Sequence, residues 1–323
     1  MPRRALGCGK GEWTMKLATS TGDFGRYADN VFDLIDCFDS TGFCYLDYNF
    51  DNTMSNRMLT APDYKEQFLR LRDYAAQKGY TFVQSHAPFD HNGLLLDSTY
   101  EEYILRLRRT VEACEILGIP NTVVHIGHNG EIPMSELFAR NRDFYARLFD
   151  VLEKTGVHAL IENGAPASGV GKITYFFFGR EMRDFLNYVN HPLLGACWDT
   201  GHANTFTNQY ANITDLGPYL RAVHVQDNFG SKDDHIAPFQ GTMNLDELMC
   251  ALLDNHFDGV FTFEAGNLLR SFDSWPVYRK SYTPSDGRAC KLSSPPKGLK
   301  IEAEKLLYQI GKYTLEAYGC FES

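Results

Sequence analysis

Residues 194–204 read Leu194-Gly195-Ala196-Cys197-Trp198-Asp199-Thr200-Gly201-His202-Ala203-Asn204. The first half of this stretch is a short apolar run, which is typical of a buried strand. The run stops at Asp199, and a glycine and a histidine follow within three residues. A carboxylate and an imidazole are costly in a packed core, so this ending favours a surface where side chains meet a ligand or a metal.

The alternation of a short apolar run and a helical pattern recurs along the whole chain. The predicted strands cover residues 16–20, 43–50, 81–89, 122–128, 158–164, 194–199, 222–228 and 259–265. The predicted helices cover residues 26–38, 64–78, 99–117, 134–154, 179–189, a short segment near 216–220, 245–255 and 301–317. Eight alternations of strand and helix predict an α/β fold of the (β/α)8 TIM-barrel type in a single domain. An open doubly wound sheet is the structural alternative, although no GxGxxG motif follows the first strand.

The length of 323 residues fits one such barrel. We expect the barrel to occupy residues 15–323. We expect residues 1–14 to be a flexible N-terminal extension, because they hold basic residues but not the apolar segment of a signal peptide. Residues 275–298 form a long loop, rich in Pro, Ser, Arg and Lys, after the eighth strand. A loop of this length is either functional, as a lid or an oligomer contact, or a disordered insertion.

The net charge and the cysteine pattern limit which binding partners and which cellular compartment we expect. The formal net charge of −10 disfavours a large nucleic-acid surface, which needs clustered Lys and Arg. No apolar run approaches the roughly 18 residues of a membrane-spanning helix. The eight cysteines are scattered without a CxxC motif, as in proteins of a reducing compartment. We therefore expect a cytoplasmic protein without nucleic-acid or membrane partners.

Polar side chains cluster at the C-terminal ends of the predicted strands, where a barrel holds its active site. Six of the ten histidines lie at or just after strand ends: His86, His125, His128, His202, His224 and His235. Glu162, Asp199 and Glu264 end strands five, six and eight. With His224 from strand seven they form a set of three carboxylates and one imidazole, which suits Mn²⁺, Mg²⁺, Co²⁺ or Zn²⁺. The alternative for any single acid is a helix cap or an ion pair with Lys or Arg.

The ordered motifs of the chain resemble those of a known family. They are His86-Ala87-Pro88, Val124-His125, Ile161-Glu162-Asn163, Trp198-Asp199-Thr200-Gly201-His202, Val223-His224-Val225-Gln226-Asp227-Asn228, Asp233-Asp234-His235 and Phe263-Glu264. Over about residues 15–270 the chain resembles the xylose isomerase-like TIM-barrel superfamily. That superfamily contains sugar and sugar-phosphate isomerases and epimerases, and also the AP endonucleases of the endonuclease IV type.

The resemblance to the ketose 3-epimerase branch implies a function and a site. It implies that one divalent metal ion, with Mn²⁺ expected first and Mg²⁺, Co²⁺ or Zn²⁺ as alternatives, is bound by Glu162, Asp199, His224 and Glu264. It also implies that Glu162 and Glu264 are the acid/base pair that acts on a small sugar or similar polyhydroxylated substrate through a metal-stabilised enediolate. The positions expected to contact substrate are His86, His125, Trp198, His202, Lys232, Asp233 and His235.

Two other enzyme classes stay open. The segment from Ser231 to Gly241 lacks the arginine that family epimerases often carry there, with Lys232 as the candidate substitute, so a metal-dependent lyase, dehydratase or glycoside-cleaving enzyme on a keto-sugar is one alternative. The other is an endonuclease IV-like zinc phosphodiesterase. Its three zinc ions would use the positions of His86, His125, Glu162, Asp199, His202, His224, Asp233, His235 and Glu264. A non-catalytic barrel would be expected to have lost these carboxylates. Barrels of this kind often associate, so a homo-oligomer stays open too.

Overall fold

A closed barrel of eight parallel strands organises the chain. The computed structural model describes residues 13–89, 99–125, 128–129, 132–165, 173–174, 176–274 and 278–322. The barrel strands are β1 (Lys16–Ser20), β2 (Tyr45–Asn49), β3 (Thr81–His86), β4 (Asn121–Val123), β5 (His158–Glu162), β6 (Leu194–Asp199), β7 (Leu220–Val225) and β8 (Val260–Phe263). Neighbouring strands pair in parallel, and β1 closes the barrel by pairing with β8, Lys16 beside Val260. The predicted TIM barrel is confirmed, and the open-sheet alternative is wrong.

Helices lie between the strands along the chain. They are α1 (Val31–Asp36), α2 (Thr53–Thr60), α3 (Tyr64–Gln77), α4 (Tyr100–Leu117), α5 (Met134–Ala146), α6 (Phe149–Thr155), α7 (Gly179–Val189), α8 (Thr200–Asn204), α9 (Tyr210–Leu216), α10 (Leu245–Asp254) and α11 (Lys297–Ala317). Short 3-10 turns cover Thr21–Phe24, Gly217–Tyr219 and Gly266–Leu268. The apolar faces of the strands and helices form one large core between the two layers.

Several helix boundaries differ from the prediction. The predicted helix at 26–38 is shorter in the structure, where α1 covers only Val31–Asp36. Helix α1 begins at Val31 because the Asn30 side chain accepts hydrogen bonds from two N–H groups of the first turn. Asn52 caps α2 in the same way, and α2 has no counterpart in the prediction. The predicted helix at 134–154 is two helices, α5 and α6.

Two loop regions also differ from the prediction. Strand β4 ends at Val123 rather than at residue 128, and His128–Asn129 pair instead with Ile173–Thr174 in an antiparallel ribbon. The predicted loop 275–298 ends at residue 296, because α11 begins at Lys297. Its role as a lid or an oligomer contact stays a prediction.

The interior of the barrel has an apolar layer beneath a polar one. Val123, Leu160, Cys197 and Ala222, from β4 to β7, are fully buried and form a small cluster separate from the main core. Each of these four apolar residues is followed, two positions later in the sequence, by a polar residue: His125, Glu162, Asp199 and His224. Because side chains alternate between the two faces of a strand, each of these polar residues shares the inward face of the apolar residue before it. The alternation therefore places the candidate ligands inside the barrel, one layer closer to its C-terminal end than the apolar cluster.

The flexible N-terminal extension stays a prediction. Residues 1–12 of the expected extension lie outside the described residues, and Trp13 stacks on His256 with ring centroids 5.3 Å apart. Within the described ranges, no helix has both the length and the apolar character needed to cross a membrane. No disulfide joins the cysteines in those ranges.

Candidate active site

Four side chains from successive strands meet at the C-terminal end of the barrel. Glu162 and Asp199 end β5 and β6, His224 lies in β7, and Glu264 follows β8 directly. Each offers a ligand atom within 4.8 Å of the ligand atoms of the others. His224 Nδ1 lies 2.5 Å from Glu162 Oε1 and 3.3 Å from Glu264 Oε2. The structure thus brings together the four residues expected to bind a metal, which we call the four-ligand group.

A pair of histidines extends this group to one side. His125 Nε2 lies 3.2 Å from Glu162 Oε2 and 2.7 Å from His86 Nε2. The ring of Phe89 stacks on His125, with centroids 4.1 Å apart. His86, His125 and Glu162 make up a second set with ligand atoms within 4.8 Å of one another, and Glu162 is common to both sets.

A third set lies on the other side of Asp199. His202, in α8, and Asp233 and His235, in the loop after β7, form what we call the His–Asp–His group. Asp233 Oδ2 lies 3.2 Å from His202 Nε2 and 3.0 Å from His235 Nε2. This group adjoins the four-ligand group directly, because Asp199 Oδ1 accepts a 2.6 Å hydrogen bond from the backbone N–H of His202 and so caps α8.

In three of the histidines one ring nitrogen is hydrogen-bonded to a backbone carbonyl and the other nitrogen faces the site. The pairs are His86 Nδ1 with Ala87 O at 2.8 Å, His202 Nδ1 with Asn163 O at 2.7 Å, and His235 Nδ1 with Glu264 O at 2.9 Å. Since a carbonyl oxygen can only accept, each Nδ1 carries a proton and each Nε2 faces the neighbouring ligand groups. This is the arrangement that orients histidines for metal binding or for hydrogen bonds to a substrate.

The carboxylates of the site are balanced by histidine protons. Burial alone would lower the pKa of His224, but the thiol and carboxyl groups around it raise the pKa well above its usual value. Burial opposes the charge on His235 in the same way, yet Asp233 raises its pKa to about 10. Burial also raises the pKa of Asp199 to about 7, against the opposite effect of His202.

Glu162 and His125 are shifted in the direction that keeps Glu162 ionised and His125 neutral. Burial works against the charge on Glu162, but the adjacent His224 holds its pKa well below the usual range. Burial is the main cause that lowers the pKa of His125 to about 3. The ionised carboxylate of Glu162 therefore sits between a protonated and a neutral imidazole.

Three further buried polar side chains hold the ligands, and none of them was among the predicted site residues. Asn163 accepts the N–H of Asp199 at 2.7 Å and donates to its carbonyl at 2.9 Å. Gln226 donates to the Asp199 carboxylate at 3.2 Å, and Asp47 Oδ2 lies 3.6 Å from His224 Nε2. Strand alternation was the available signal for Gln226, since it follows His224 by two residues and shares its face.

Two of the residues expected to contact substrate lie apart from these sets. Trp198 is fully buried, belongs to the main core, and donates its indole N–H to Gln209 Oε1 at 2.7 Å. It neighbours Asp199 in sequence but points to the opposite face of β6, toward the helices. Lys232 is exposed and forms no ion pair within the described part of the chain. The remaining expected contacts, His86, His125, His202, Asp233 and His235, all adjoin the four-ligand group.

A comparison with known families agrees with the fold. A family model described as a xylose isomerase-like TIM barrel matches residues 39–275. This range covers β2 to β8 and contains every residue of the three ligand sets.

Individual similar proteins are distant in sequence. An uncharacterised protein of Sinorhizobium fredii is 27% identical over 168 residues, which are 49% of this chain and 51% of that protein, so the chain spans about half its length. An inosose isomerase of Bacillus velezensis is 22% identical over 60% of this chain and 73% of its own length. A crystal structure of a D-tagatose 3-epimerase-like protein has a TM-score of 0.67 and 18% identity, and the match covers 94% of this chain and 99% of that one.

Proposed function

Since this chain belongs to the xylose isomerase-like TIM-barrel family, we propose that it is a divalent-metal-dependent isomerase or epimerase of a small sugar or a related polyhydroxylated ketone. The observation that carries the proposal is the four-ligand group, whose ligand atoms lie within 4.8 Å of one another at the catalytic end of the barrel. The inosose isomerase and the D-tagatose 3-epimerase-like protein among the similar proteins support the same class.

The four-ligand group fits a divalent cation. Three carboxylates this close repel one another, and burial strengthens the repulsion. Within the described ranges no Lys or Arg forms an ion pair with any of the four residues, so protons on the histidines and on Asp199 balance their charge. A cation that displaces the proton of His224 would balance the same charge with oxygen and imidazole ligands, which suit Mn²⁺, Mg²⁺, Co²⁺ or Zn²⁺. Mn²⁺ is the ion we propose first.

The two glutamates differ in their access to a substrate. The side chain of Glu162 is 1% exposed, whereas that of Glu264 is 24% exposed. We assign to Glu162, held ionised by His224, the removal of a proton from the substrate carbon, and to Glu264 the return of a proton. The bound cation would polarise the substrate carbonyl and lower the energy of the charge that forms on its oxygen. Delivery of a proton from Glu264 to the opposite face inverts the carbon, which is an epimerisation, and proton exchange of both glutamates with solvent restores their starting protonation states.

The histidines that present Nε2 to the site would hold the substrate hydroxyls. His86, His202 and His235 each have the ring fixed by a backbone carbonyl, so the orientation of Nε2 exists before any substrate arrives. Pre-formed hydrogen-bonding groups of this kind keep the reacting carbon in a fixed position relative to the two glutamates. They would favour a substrate with hydroxyl groups on several neighbouring carbons.

Deuterium incorporation tests the proposal whichever product is formed. The Mn²⁺-loaded protein is incubated in D₂O with a panel of ketoses, inososes and keto-glycosides, and NMR detects deuterium on the carbon next to the carbonyl. We expect incorporation into at least one compound, and incorporation about 10²–10⁴-fold slower in the Glu162→Gln variant. Metal bound at the site without exchange into any compound would refute the proposal. Release of an aglycone or of water instead would identify the lyase alternative.

A second candidate function is metal-dependent phosphodiester cleavage. The observation that favours it is that all nine expected zinc ligands fall into three adjoining sets, His86–His125–Glu162, the four-ligand group and the His–Asp–His group. The net charge of −10 counts against a nucleic-acid substrate. Elemental analysis of protein purified without chelator separates the two candidates, because the isomerase predicts one metal ion per chain and the phosphodiesterase predicts three zinc ions.

A further inference from the structure

Gln226 lies between the four-ligand group and the His–Asp–His group. It is fully buried and follows His224 by two residues. Its amide nitrogen donates to the two carboxylate oxygens of Asp199, at 3.2 and 3.4 Å, and also to Asp233 Oδ1. Its amide oxygen accepts the backbone N–H of His235 at 3.2 Å. One side chain therefore contacts both groups of candidate ligands.

A primary amide matches this position better than any other side chain. It offers two N–H donors for two carboxylates and one oxygen for one backbone N–H, so every polar atom of Gln226 is satisfied. A glutamate would bring a third negative charge beside Asp199 and Asp233. A lysine would place a fixed positive charge where a metal ion is expected. Glutamine holds the two acids without changing the net charge of the site.

The chain around Gln226 keeps the amide in this place. Thr200 Oγ1 donates a hydrogen bond to the backbone carbonyl of Gln226 at 2.7 Å and accepts one from the backbone N–H of Gln226 at 3.0 Å. Residue 201 is glycine, and a Cβ at Gly201 would overlap the carboxamide of Gln226. Thr200 therefore fixes the backbone of Gln226, and Gly201 leaves the space that the carboxamide fills.

We propose that Gln226 is a positioning residue for metal binding. Its amide fixes the carboxylate of Asp199 in the orientation of a metal ligand and ties that carboxylate to Asp233. This inference rests on the proposed function, since it takes the four-ligand group as the metal site. Replacing a residue that orients a metal ligand typically weakens metal binding by about 10–100-fold. A glutamine with a purely structural role would change the free energy of unfolding and leave the metal affinity unchanged.

The test compares two variants that keep the shape of the side chain. Gln226→Met removes the hydrogen bonds, and Gln226→Glu keeps the outline but adds a negative charge. The metal-free proteins are titrated with Mn²⁺, and the EPR signal of free Mn²⁺ gives the affinity for the first equivalent. We expect affinity about 10–100-fold weaker in Gln226→Met. We also expect weaker binding in Gln226→Glu, since the new carboxylate repels Asp199 from its place, whereas a site governed by total charge alone would bind Mn²⁺ more tightly.

A matched control is available in the same region. Gln209 is also a buried glutamine with two side-chain hydrogen bonds, to the indole of Trp198 and to Thr200 O, and it contacts none of the candidate ligands. Gln209→Met should lower the free energy of unfolding by an amount similar to Gln226→Met while leaving Mn²⁺ affinity as in the parent. Urea unfolding of the metal-free proteins measures the first quantity.

The outcomes distinguish a failure of the positioning role of Gln226 from a failure of the proposed function. If the parent protein binds Mn²⁺ and Gln226→Met binds it equally well, the positioning role is overturned and the proposed function stands. Tighter binding by Gln226→Glu also overturns the positioning role. If the parent protein binds no divalent metal at the first equivalent, the proposed function fails and this inference falls with it.

Discussion

Two clusters of buried charge lie at the C-terminal end of the barrel, and they are balanced in different ways. In one cluster Lys300 and Glu304, both 1% exposed, pair at 3.5 Å, and Thr19 donates to Glu304 at 2.7 Å. Burial raises the pKa of the nearby Asp23 to about 8, so that acid is protonated at neutral pH. We call these residues the lysine cluster. It contains its own cation, whereas the four-ligand group has only protons on the histidines and on Asp199. The difference supports the proposal that the four-ligand group takes up a cation from outside, whereas the lysine cluster is balanced by residues of the chain itself.

The largest effect expected from this comparison is on activity. Glu162→Gln and Glu264→Gln each remove an acid/base group while keeping the side-chain shape. Each should lower deuterium exchange into substrate by about 10²–10⁴-fold, the usual contribution of general acid/base catalysis. Circular dichroism should show the parent fold, because each substitution removes a negative charge from a crowded set of carboxylates.

The control for this prediction is a glutamate outside both clusters. Glu302 lies in α11 and forms an exposed ion pair with Lys305, so Glu302→Gln should exchange deuterium at the parent rate. Full activity in either Glu162→Gln or Glu264→Gln would rule out the two-glutamate mechanism.

Much of the four-ligand group was predictable because chain order equals spatial order in a TIM barrel. Glu162, Asp199 and Glu264 each follow an apolar run and His224 lies within one, and successive parallel strands bring their C-terminal ends side by side. The same rule of alternation, applied more strictly, would have placed Trp198 on the outer face of β6. It would also have singled out Gln226 beside His224. The prediction for Trp198 was wrong because adjacent residues of a strand point to opposite faces, so a sequence neighbour of Asp199 is not its neighbour in space.

The His–Asp–His group depends on loop geometry that no local pattern reveals. The loop after β7 is folded back by an antiparallel bridge between Asp227 and Ile236, and the Asp227 carboxylate accepts the N–H groups of Gly241 and Met243. His235 itself has a positive φ of 50°, which is uncommon for a residue other than glycine. Tertiary contacts decide this conformation, so the sequence indicated the residues of the group but not their arrangement.

A second prediction tests the lysine cluster as a structural element. Lys300→Met leaves the carboxylate of Glu304 buried without its cation, which should lower the free energy of unfolding by about 3–5 kcal/mol in urea titrations. Mn²⁺ affinity should stay at the parent value. Adding Glu304→Leu should recover part of the lost stability, because removal of both charges leaves no buried charge unpaired. A loss of metal affinity without a loss of stability would mean that the two clusters are not separate.

The smallest expected effect is a change with pH in the stability that the metal adds. The free energy of unfolding of the metal-loaded protein, minus that of the metal-free protein, should change by about 1.4 kcal/mol per pH unit for each proton that the metal displaces. The pKa of His235 is raised to about 10 and that of Asp199 to about 7, and the pKa of His224 is raised well above its usual value. A group with a raised pKa in the folded state stabilises the fold below its unfolded pKa, and this contribution is lost as pH rises through the folded value. The metal-free protein should therefore lose stability from pH 6 to pH 9.

In the metal-loaded protein the cation would replace the protons of Asp199 and His224, so the folded state would no longer lose these protons as pH rises. The gap in free energy of unfolding between the Mn²⁺-loaded and chelator-treated protein should widen as pH rises, and Mn²⁺ affinity should increase in parallel. Urea unfolding at pH 6, 7, 8 and 9, with and without Mn²⁺, measures the gap. A gap that stays constant or narrows with rising pH would mean that the metal does not compete with the histidine protons of the four-ligand group, and the contrast with the lysine cluster would then lose its physical basis.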